Sequence, residues 1–130
     1  LNKKFELHSQ IINIASIYGL ISPNKSIYTD TNRSSSEIYG ATKAGVIQMT
    51  KYFATRYAES NIKVNCIAPG GVLNSKLQGP DFIKNYSKLV PMKRLCNDKE
   101  VSSLIYSLVS ADSMYLTGQT ISIDGGMSSW

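Results

Sequence analysis

The chain has 130 residues, of which 42% are hydrophobic and 18% charged, enough for one small globular domain with a packed core. The formal net charge of +5 indicates either an ordinary solvated basic surface or a preference for anionic ligands such as nucleotide phosphates or sugar nucleotides, and the scattered lysines argue against nucleic-acid binding. No apolar run of membrane-spanning length, no signal-peptide pattern at residues 1–4 and no metal or redox motif at Cys66 or Cys96 is present. These features predict a cytoplasmic protein with reduced thiols, no metal site and no membrane association.

The first predicted element is a short apolar strand, Gln10–Ser16, which is rich in β-branched residues. Such a run is typical of a strand that is buried on both faces of a parallel sheet. Ser16 stands at its carboxyl end, where open α/β sheets bind ligands. The alternative is a serine that only closes the strand into a turn.

A long polar loop, residues 22–36, leads into a helix that is predicted from about residue 36 to 59. Ser34 and Glu37 have the spacing of a capping box, which predicts Ser34 as the N-cap, and Asn61 is expected to close the helix. The positions that keep the helical spacing of a buried face are Val46, Ile47, Thr50, Phe53, Ala54 and Tyr57. The small residues that would allow close packing near its start are Gly40, Ala41, Ala44 and Gly45.

Tyr39 and Lys43 lie four residues apart in this helix, so their side chains share one face. A free phenol has a pKa of about 10 and is a poor base at neutral pH, whereas a nearby ammonium favours the phenolate and lowers that pKa. A phenol tuned in this way exchanges a proton with an alcohol or carbonyl oxygen. The alternative is an exposed pair without a catalytic role, because the spacing alone is a weak signal.

The second predicted strand covers residues 63–68 and ends in Pro69–Val72, where glycines allow a ligand to approach the backbone. Residues 73–95 are predicted to be irregular, with a short helix around 81–88. This segment is either a mobile substrate lid or a structural connection.

The last predicted elements are a helix with Asn97 as N-cap and a third strand, residues 119–124, ended by Gly125 and Gly126. The helix carries an apolar stripe that predicts core packing: Val101, Leu104, Ile105, Leu108 and Val109. The alternation of strands and helices predicts a parallel three-layer α/β fold with right-handed crossovers.

Five ordered motifs cover almost the whole chain and resemble the C-terminal half of the short-chain dehydrogenases/reductases. They are Asn13–Ser16, Tyr39-x-x-x-Lys43, Asn65–Val72, Pro91–Leu95, and Tyr115–Gln119 with Asp124–Gly126. The resemblance implies a Rossmann-like, doubly wound parallel sheet, of which residues 1–130 hold only the C-terminal portion with three strands and two main helices. It also implies hydride transfer with NAD or NADP, and a homodimer or homotetramer when the protein is complete.

The same resemblance assigns roles to particular residues. Tyr39 would be the general acid/base, Lys43 would lower its pKa and hold the nicotinamide ribose, and Ser16 would hydrogen-bond the substrate oxygen. The backbone that would border the nicotinamide belongs to Pro69, Gly70 and Val72. Asn74 stands where the family often carries a cofactor-binding threonine.

Two departures from the family pattern matter. Ser16 and Tyr39 are 23 positions apart, which is wider than usual, and the 22–36 loop that supplies the difference would reshape the substrate pocket. The long loop and the sequence Ser16–Gly19 resemble reductases of flagellin modification and polysaccharide biosynthesis, and the stretch Ser34–Lys43 resembles nucleotide-sugar epimerases and dehydratases. Both resemblances favour a sugar or sugar-nucleotide substrate. Residues 1–130 also lack the family's glycine-rich phosphate turn and its Asn-Ala-Gly segment, so we expect the chain alone to bind dinucleotide weakly and to be inactive.

Three alternatives remain open at the level of sequence. The substrate could be a 3-oxoacyl thioester or a simple ketone, since the glycine motifs are shared with those reductases. The chain could be a non-catalytic protein of the same fold that acts in regulation or assembly. It could also be an interaction fragment that completes its fold with another chain.

Overall fold

The structure is a computed structural model that describes residues 9–29, 34–110 and 115–130. The predictions for residues 1–8 and for the middle of the 22–36 loop lie outside these residues. The described residues form three strands and three α-helices, which are in chain order β1 Ser9–Ile14, α1 Glu37–Tyr57, β2 Ile62–Pro69, α2 Pro80–Leu89, α3 Asp98–Val109 and β3 Thr120–Ile123.

The strands form one parallel sheet in the order β1-β2-β3. Ser9 pairs with Ile62 at one end of the β1–β2 ladder and Ile14 with Ile67 at the other, while β3 pairs with the second half of β2. The parallel α/β prediction is confirmed. All carboxyl ends of the strands therefore meet at one edge, which is where the predicted site residues follow.

Burial differs sharply between the first two strands. Residues 63–68 of β2 are all buried, because β2 has a strand on either side. In β1, Ile11 and Ile14 are 41% and 43% exposed. The prediction that the first strand is buried on both faces is therefore wrong for this structure, because β1 is an edge strand among the described residues and α1 covers only part of it.

Helix α1 begins at an N-cap other than the predicted one. The Ser36 side chain, not that of Ser34, accepts a hydrogen bond from the Ile38 N–H at 3.2 Å. Three consecutive serines offer equivalent caps, so local sequence alone does not decide among them. At the other end a short 3-10 turn, Ala58–Ser60, leads to Asn61 with a φ of 58°, which confirms that Asn61 closes the helix.

The buried face of α1 packs on the sheet as the helical spacing predicts. Ile47, Thr50 and Ala54 are buried. Ile47 joins Ala15 and Cys66 in one small core cluster, and the Thr50 hydroxyl accepts a hydrogen bond from the Asn13 amide at 2.9 Å. These contacts fix α1 against the carboxyl half of β1.

A second core cluster lies beside the ends of the strands and includes residues of α2. Helix α2 itself confirms the short helix that was predicted around residues 81–88. Its buried members are Ile17, Ile27, Tyr86, Val90, Leu95 and Met127. Segments on both sides of α1 in the sequence thus share one core.

Helix α3 begins after Asn97, the predicted N-cap, and the side chains of Asn97 and Glu100 form a capping box. Its apolar stripe is less buried than predicted. Leu108 is buried, but Val101, Leu104 and Ile105 are only half-buried and Val109 is exposed. The stripe is therefore only in part a core face.

Glu100 also forms a two-pronged ion pair, with Arg94 Nη1 at 2.8 Å and Nη2 at 2.7 Å from its carboxylate oxygens. The Arg94 hydrogen bonds and the Asn97 N–H lower the pKa of Glu100 to about 2. Because the folded-state pKa lies below the ordinary value, this carboxylate stabilises the fold above its unfolded pKa, and the contribution is lost as pH falls through the folded pKa.

We therefore expect the free energy of unfolding to fall on acidification from about pH 4.5 to about pH 2 partly because Glu100 takes up a proton. Glu100→Gln should reduce the pH dependence in this window. Urea unfolding of both proteins at several pH values measures it, with Glu59→Gln as a matched control on a surface turn. Equal pH slopes in the wild type and Glu100→Gln would contradict the prediction.

Candidate active site

Ser16 lies directly beyond β1, at the carboxyl edge of the sheet. The ladder continues one residue past the strand through the Ala15 N–H and the Ile67 carbonyl, at 2.8 Å. Ser16 then caps a 3-10 turn, Ile17–Gly19, and its Oγ accepts a hydrogen bond from the Tyr18 N–H at 3.2 Å. Since Oγ is the acceptor in this bond, its proton can still be donated to a ligand.

Tyr39 and Lys43 share one face in the first turns of α1, as their spacing predicts. The Lys43 ammonium lies 5.7 Å from the centre of the Tyr39 ring. The same ammonium donates a hydrogen bond to the Ile14 carbonyl at 3.1 Å. This bond ties the helix to the end of β1 and uses one of the three ammonium protons, which leaves two for a ligand.

A cavity of about 470 Å³ brings Ser16 and Tyr39 together with the glycines that follow β2. No lining residue carries a charge. The complete lining is Ser16, Ile17, Tyr18, Tyr28, Ser35, Ser36, Tyr39, Gly70, Gly71, Phe82 and Tyr86. The serine and tyrosine singled out from the sequence thus face one uncharged space.

The residues Pro69–Val72 form the glycine turn, which packs too closely for side chains at its centre. A Cβ on Gly70 would lie 3.0 Å from Asp124, and one on Gly71 would lie 2.7 Å from the Tyr86 ring. Gly70 and Gly71 line the cavity, whereas Pro69 and Val72 flank it. Val72 pairs with Cys96 in an isolated bridge, which holds the far end of the turn.

Asn74 is not brought to the cavity. Its side-chain oxygen accepts a hydrogen bond from the Lys76 N–H at 3.2 Å, and its own N–H bonds the Gln78 side chain at 2.8 Å. The side chain therefore stabilises a surface turn, and its predicted cofactor contact stays a prediction.

Sequence reasoning missed an aromatic wall of the cavity, made of Tyr18, Tyr28, Phe82 and Tyr86. The ring centres are 5.9 Å apart for Tyr28 and Phe82, and 5.7 Å apart for Phe82 and Tyr86. The Tyr18 ring meets the Tyr39 ring edge to face, with centres 6.5 Å apart. The four-residue spacing of Phe82 and Tyr86 was a usable signal, but Tyr18 and Tyr28 lie in irregular segments without periodicity.

Burial shifts two phenols of the aromatic wall away from ionisation. It raises the pKa of Tyr86 to about 12, against the opposing effect of the Gly71 N–H. Burial also raises the pKa of Tyr18, and the nearby Tyr28 hydroxyl raises it further. Among the described residues, the Tyr18 hydroxyl itself has no partner within the geometric limits of a hydrogen bond. Both side chains are thus neutral phenols at physiological pH.

Within residues 9–29, 34–110 and 115–130, no group of three or more His, Cys, Asp or Glu side chains is placed to hold a metal ion. Cys66 and Cys96 are free thiols. None of the described helices combines the length and apolarity needed to cross a membrane.

The chain resembles known proteins over nearly its whole length. A family profile described as enoyl-(acyl carrier protein) reductase matches residues 3–128. The chain belongs to the short-chain dehydrogenase/reductase family. Among curated members, it is 32% identical over 123 residues to post-translational flagellin modification protein A of Campylobacter coli, covering 95% of this chain and 47% of that protein. It is 40% identical over 120 residues to a 3-oxoacyl-[acyl-carrier-protein] reductase of Chlamydia muridarum, covering 90% and 44% respectively.

Solved structures of the family share the fold. A short-chain dehydrogenase of Leptospira borgpetersenii, crystallised with bound NAD⁺, matches with a TM-score of 0.83 and 41% identity over 92% of this chain and 44% of that one. Further matching structures were solved with NADH or with NADP. The Rossmann-like fold class is thus confirmed. The chain spans about half the length of the curated relatives that it matches.

Proposed function

We propose that this short-chain dehydrogenase/reductase chain carries the catalytic half of an NAD(P)-dependent oxidoreductase that interconverts a carbonyl and an alcohol. The observation that supports this most directly is the single cavity that holds the Ser16 hydroxyl, the Tyr39 phenol and the glycine turn. A binding module has no need for a serine and a tyrosine on one cavity with a lysine ammonium beside the tyrosine.

NAD(P) would supply or accept the hydride. The residues present suit its nicotinamide end: the Lys43 ammonium has two uncommitted donors for ribose hydroxyls, and the glycine turn presents backbone to the same cavity. Pro69, Gly70 and Val72 would border the nicotinamide, with Asn74 as a more remote contact. The phosphate-binding glycine motif of the family is not found in residues 1–130.

The chain's own residues would then handle the substrate oxygen. Tyr39 donates a proton to it during reduction, or removes one during oxidation. Ser16 donates a hydrogen bond to the same oxygen and stabilises the negative charge that develops there. Lys43, held at the Ile14 carbonyl, keeps a positive charge beside Tyr39.

The substrate we favour is a sugar or sugar nucleotide. An uncharged cavity with an aromatic wall suits a neutral hydroxylated ring, whose apolar face packs on aromatic side chains. The relative named for flagellin modification points in the same direction. A 3-oxoacyl thioester is the second candidate, because a relative that is 40% identical to this chain is named as a 3-oxoacyl-[acyl-carrier-protein] reductase.

Two further parts of the proposal concern the complete protein. We propose a homodimer or homotetramer, since the outer face of α1 exposes Ile38, Met49 and Tyr52. We also propose that it works in the cytoplasm.

The test is turnover by the complete gene product with NADH and NADPH. Three carbonyl substrates are compared: a UDP-4-keto sugar, a 3-oxoacyl N-acetylcysteamine thioester and cyclohexanone. We expect kcat/KM for the keto sugar to exceed the other two by about tenfold or more, because binding energy from the remote parts of the sugar is used in the transition state. Higher kcat/KM for the thioester would favour the second candidate, and no cofactor oxidation with any of them would overturn the oxidoreductase proposal.

A further inference from the structure

The buried phenol of Tyr86 joins the aromatic wall to the glycine turn. Tyr86 is only 3% exposed, and its ring contacts that of Phe82 on the cavity side. Its hydroxyl oxygen accepts a hydrogen bond from the Gly71 N–H. One side chain thus touches both the surface that would receive the substrate and the backbone that would border the cofactor.

The bond to Gly71 fixes the orientation of one peptide unit. The described residues contain no cis peptide bond, so the Gly70 carbonyl points away from the Gly71 N–H. With that N–H aimed at Tyr86, the Gly70 carbonyl is aimed to the opposite side. The preceding N–H, that of Gly70, is bound to the Ile123 carbonyl at 3.0 Å, so the turn has fixed partners on both sides.

The contact is too tight for the turn to move independently of Tyr86. A Cβ on Gly71 would lie 2.7 Å from two carbons of the Tyr86 ring, which places this ring directly against the backbone. Burial raises the pKa of Tyr86 to about 12, so at physiological pH the group that accepts the Gly71 N–H is a neutral hydroxyl.

We propose that Tyr86 is a positioning residue that couples ligand binding on the aromatic wall to cofactor binding at the glycine turn. This inference rests on the proposed function, which places the nicotinamide beside the turn. A ring packed on Phe82 restrains Tyr86, and Tyr86 restrains the Gly70–Gly71 peptide. The two ligands should therefore strengthen each other's binding by the same factor.

The test is cofactor titration of the complete gene product and its Tyr86→Phe variant. The variant keeps the ring and removes only the acceptor of the Gly71 N–H. NADH or NADPH is titrated first alone and then in the presence of the alcohol product of the assay above. The reduced cofactor and the alcohol cannot react with each other, because both are already reduced. Tyr106→Phe is the matched control, because it removes a phenol hydroxyl from an exposed position on α3.

In the wild type, we expect the alcohol to tighten cofactor binding by about tenfold, a typical coupling between two sites. Tyr86→Phe should bind the cofactor about tenfold more weakly, as expected for one lost hydrogen bond, and the alcohol should no longer tighten it. A purely structural role would lower the melting temperature but leave the tightening factor unchanged.

Three other outcomes would overturn the inference. First, Tyr86→Phe could bind the cofactor as the wild type does and keep the tightening by the alcohol. Second, Tyr106→Phe could lose cofactor affinity and tightening to the same extent as Tyr86→Phe. Third, the alcohol could fail to tighten cofactor binding in the wild type. Absence of cofactor binding by the wild type would instead overturn the proposed function, and this inference with it.

Discussion

Tyr39→Phe should reduce the turnover of the complete gene product by about 10²- to 10⁴-fold, the usual contribution of a general acid or base. The change removes only the hydroxyl, so the ring contact with Tyr18 and the neighbouring Lys43 ammonium should remain. We therefore expect the dissociation constant of the cofactor to change by less than about threefold. Single-turnover measurement of hydride transfer, with a separate cofactor titration, distinguishes the two quantities.

Tyr57→Phe is the matched control for this experiment. It lies on the same helix, stacks on Phe53 with ring centres 5.6 Å apart, and is not part of the cavity lining. Turnover of Tyr57→Phe should match that of the wild type. If Tyr39→Phe retained wild-type turnover, Tyr39 would not be the acid/base, and a wild type without turnover would favour the non-catalytic alternative.

The parts of the site that the sequence predicted are those that depend on a residue's position within or directly after one helix or strand. A four-residue spacing on a helix places Tyr39 and Lys43 on one face wherever the helix packs. A polar residue after a parallel strand lies at the carboxyl edge of the sheet, which placed Ser16 correctly. These relations require no knowledge of the tertiary contacts.

The parts that the sequence did not predict depend on contacts between distant segments. Tyr28 and Phe82 are in contact although more than fifty positions separate them in the chain, and the local sequence around neither residue indicates this contact. The exposure of Ile11 likewise depends on what lies beyond the edge of β1, which is a property of the sheet rather than of the strand. Ser34 and Ser36 are the same residue type two positions apart, so the preference of a helix for a serine N-cap does not distinguish them.

The geometry between Ser16 and Tyr39 depends on a close approach at Gly19, just after the serine turn. A Cβ on Gly19 would lie 2.7 Å from the Lys43 carbonyl carbon and 2.8 Å from the Ala44 nitrogen. Both are backbone atoms of α1, so they cannot move aside by a change of rotamer. Gly40 shows the same closeness from the other side, since its Cβ would lie 2.9 Å from the Tyr18 carbonyl oxygen.

Gly19→Ala should therefore destabilise the fold by about 3 kcal/mol, at the upper end of overpacking effects, because the turn must separate from α1. The separation would also move Ser16 relative to Tyr39, so turnover should fall even under conditions where the variant is folded. Gly45→Ala is the control, since nothing lies within 4 Å of its added Cβ and alanine favours a helix by about 1 kcal/mol. In urea unfolding, the free energy of unfolding should fall in Gly19→Ala and rise in Gly45→Ala, relative to the wild type. A Gly19→Ala protein as stable as the wild type would show that the backbone approach does not set the geometry of the site.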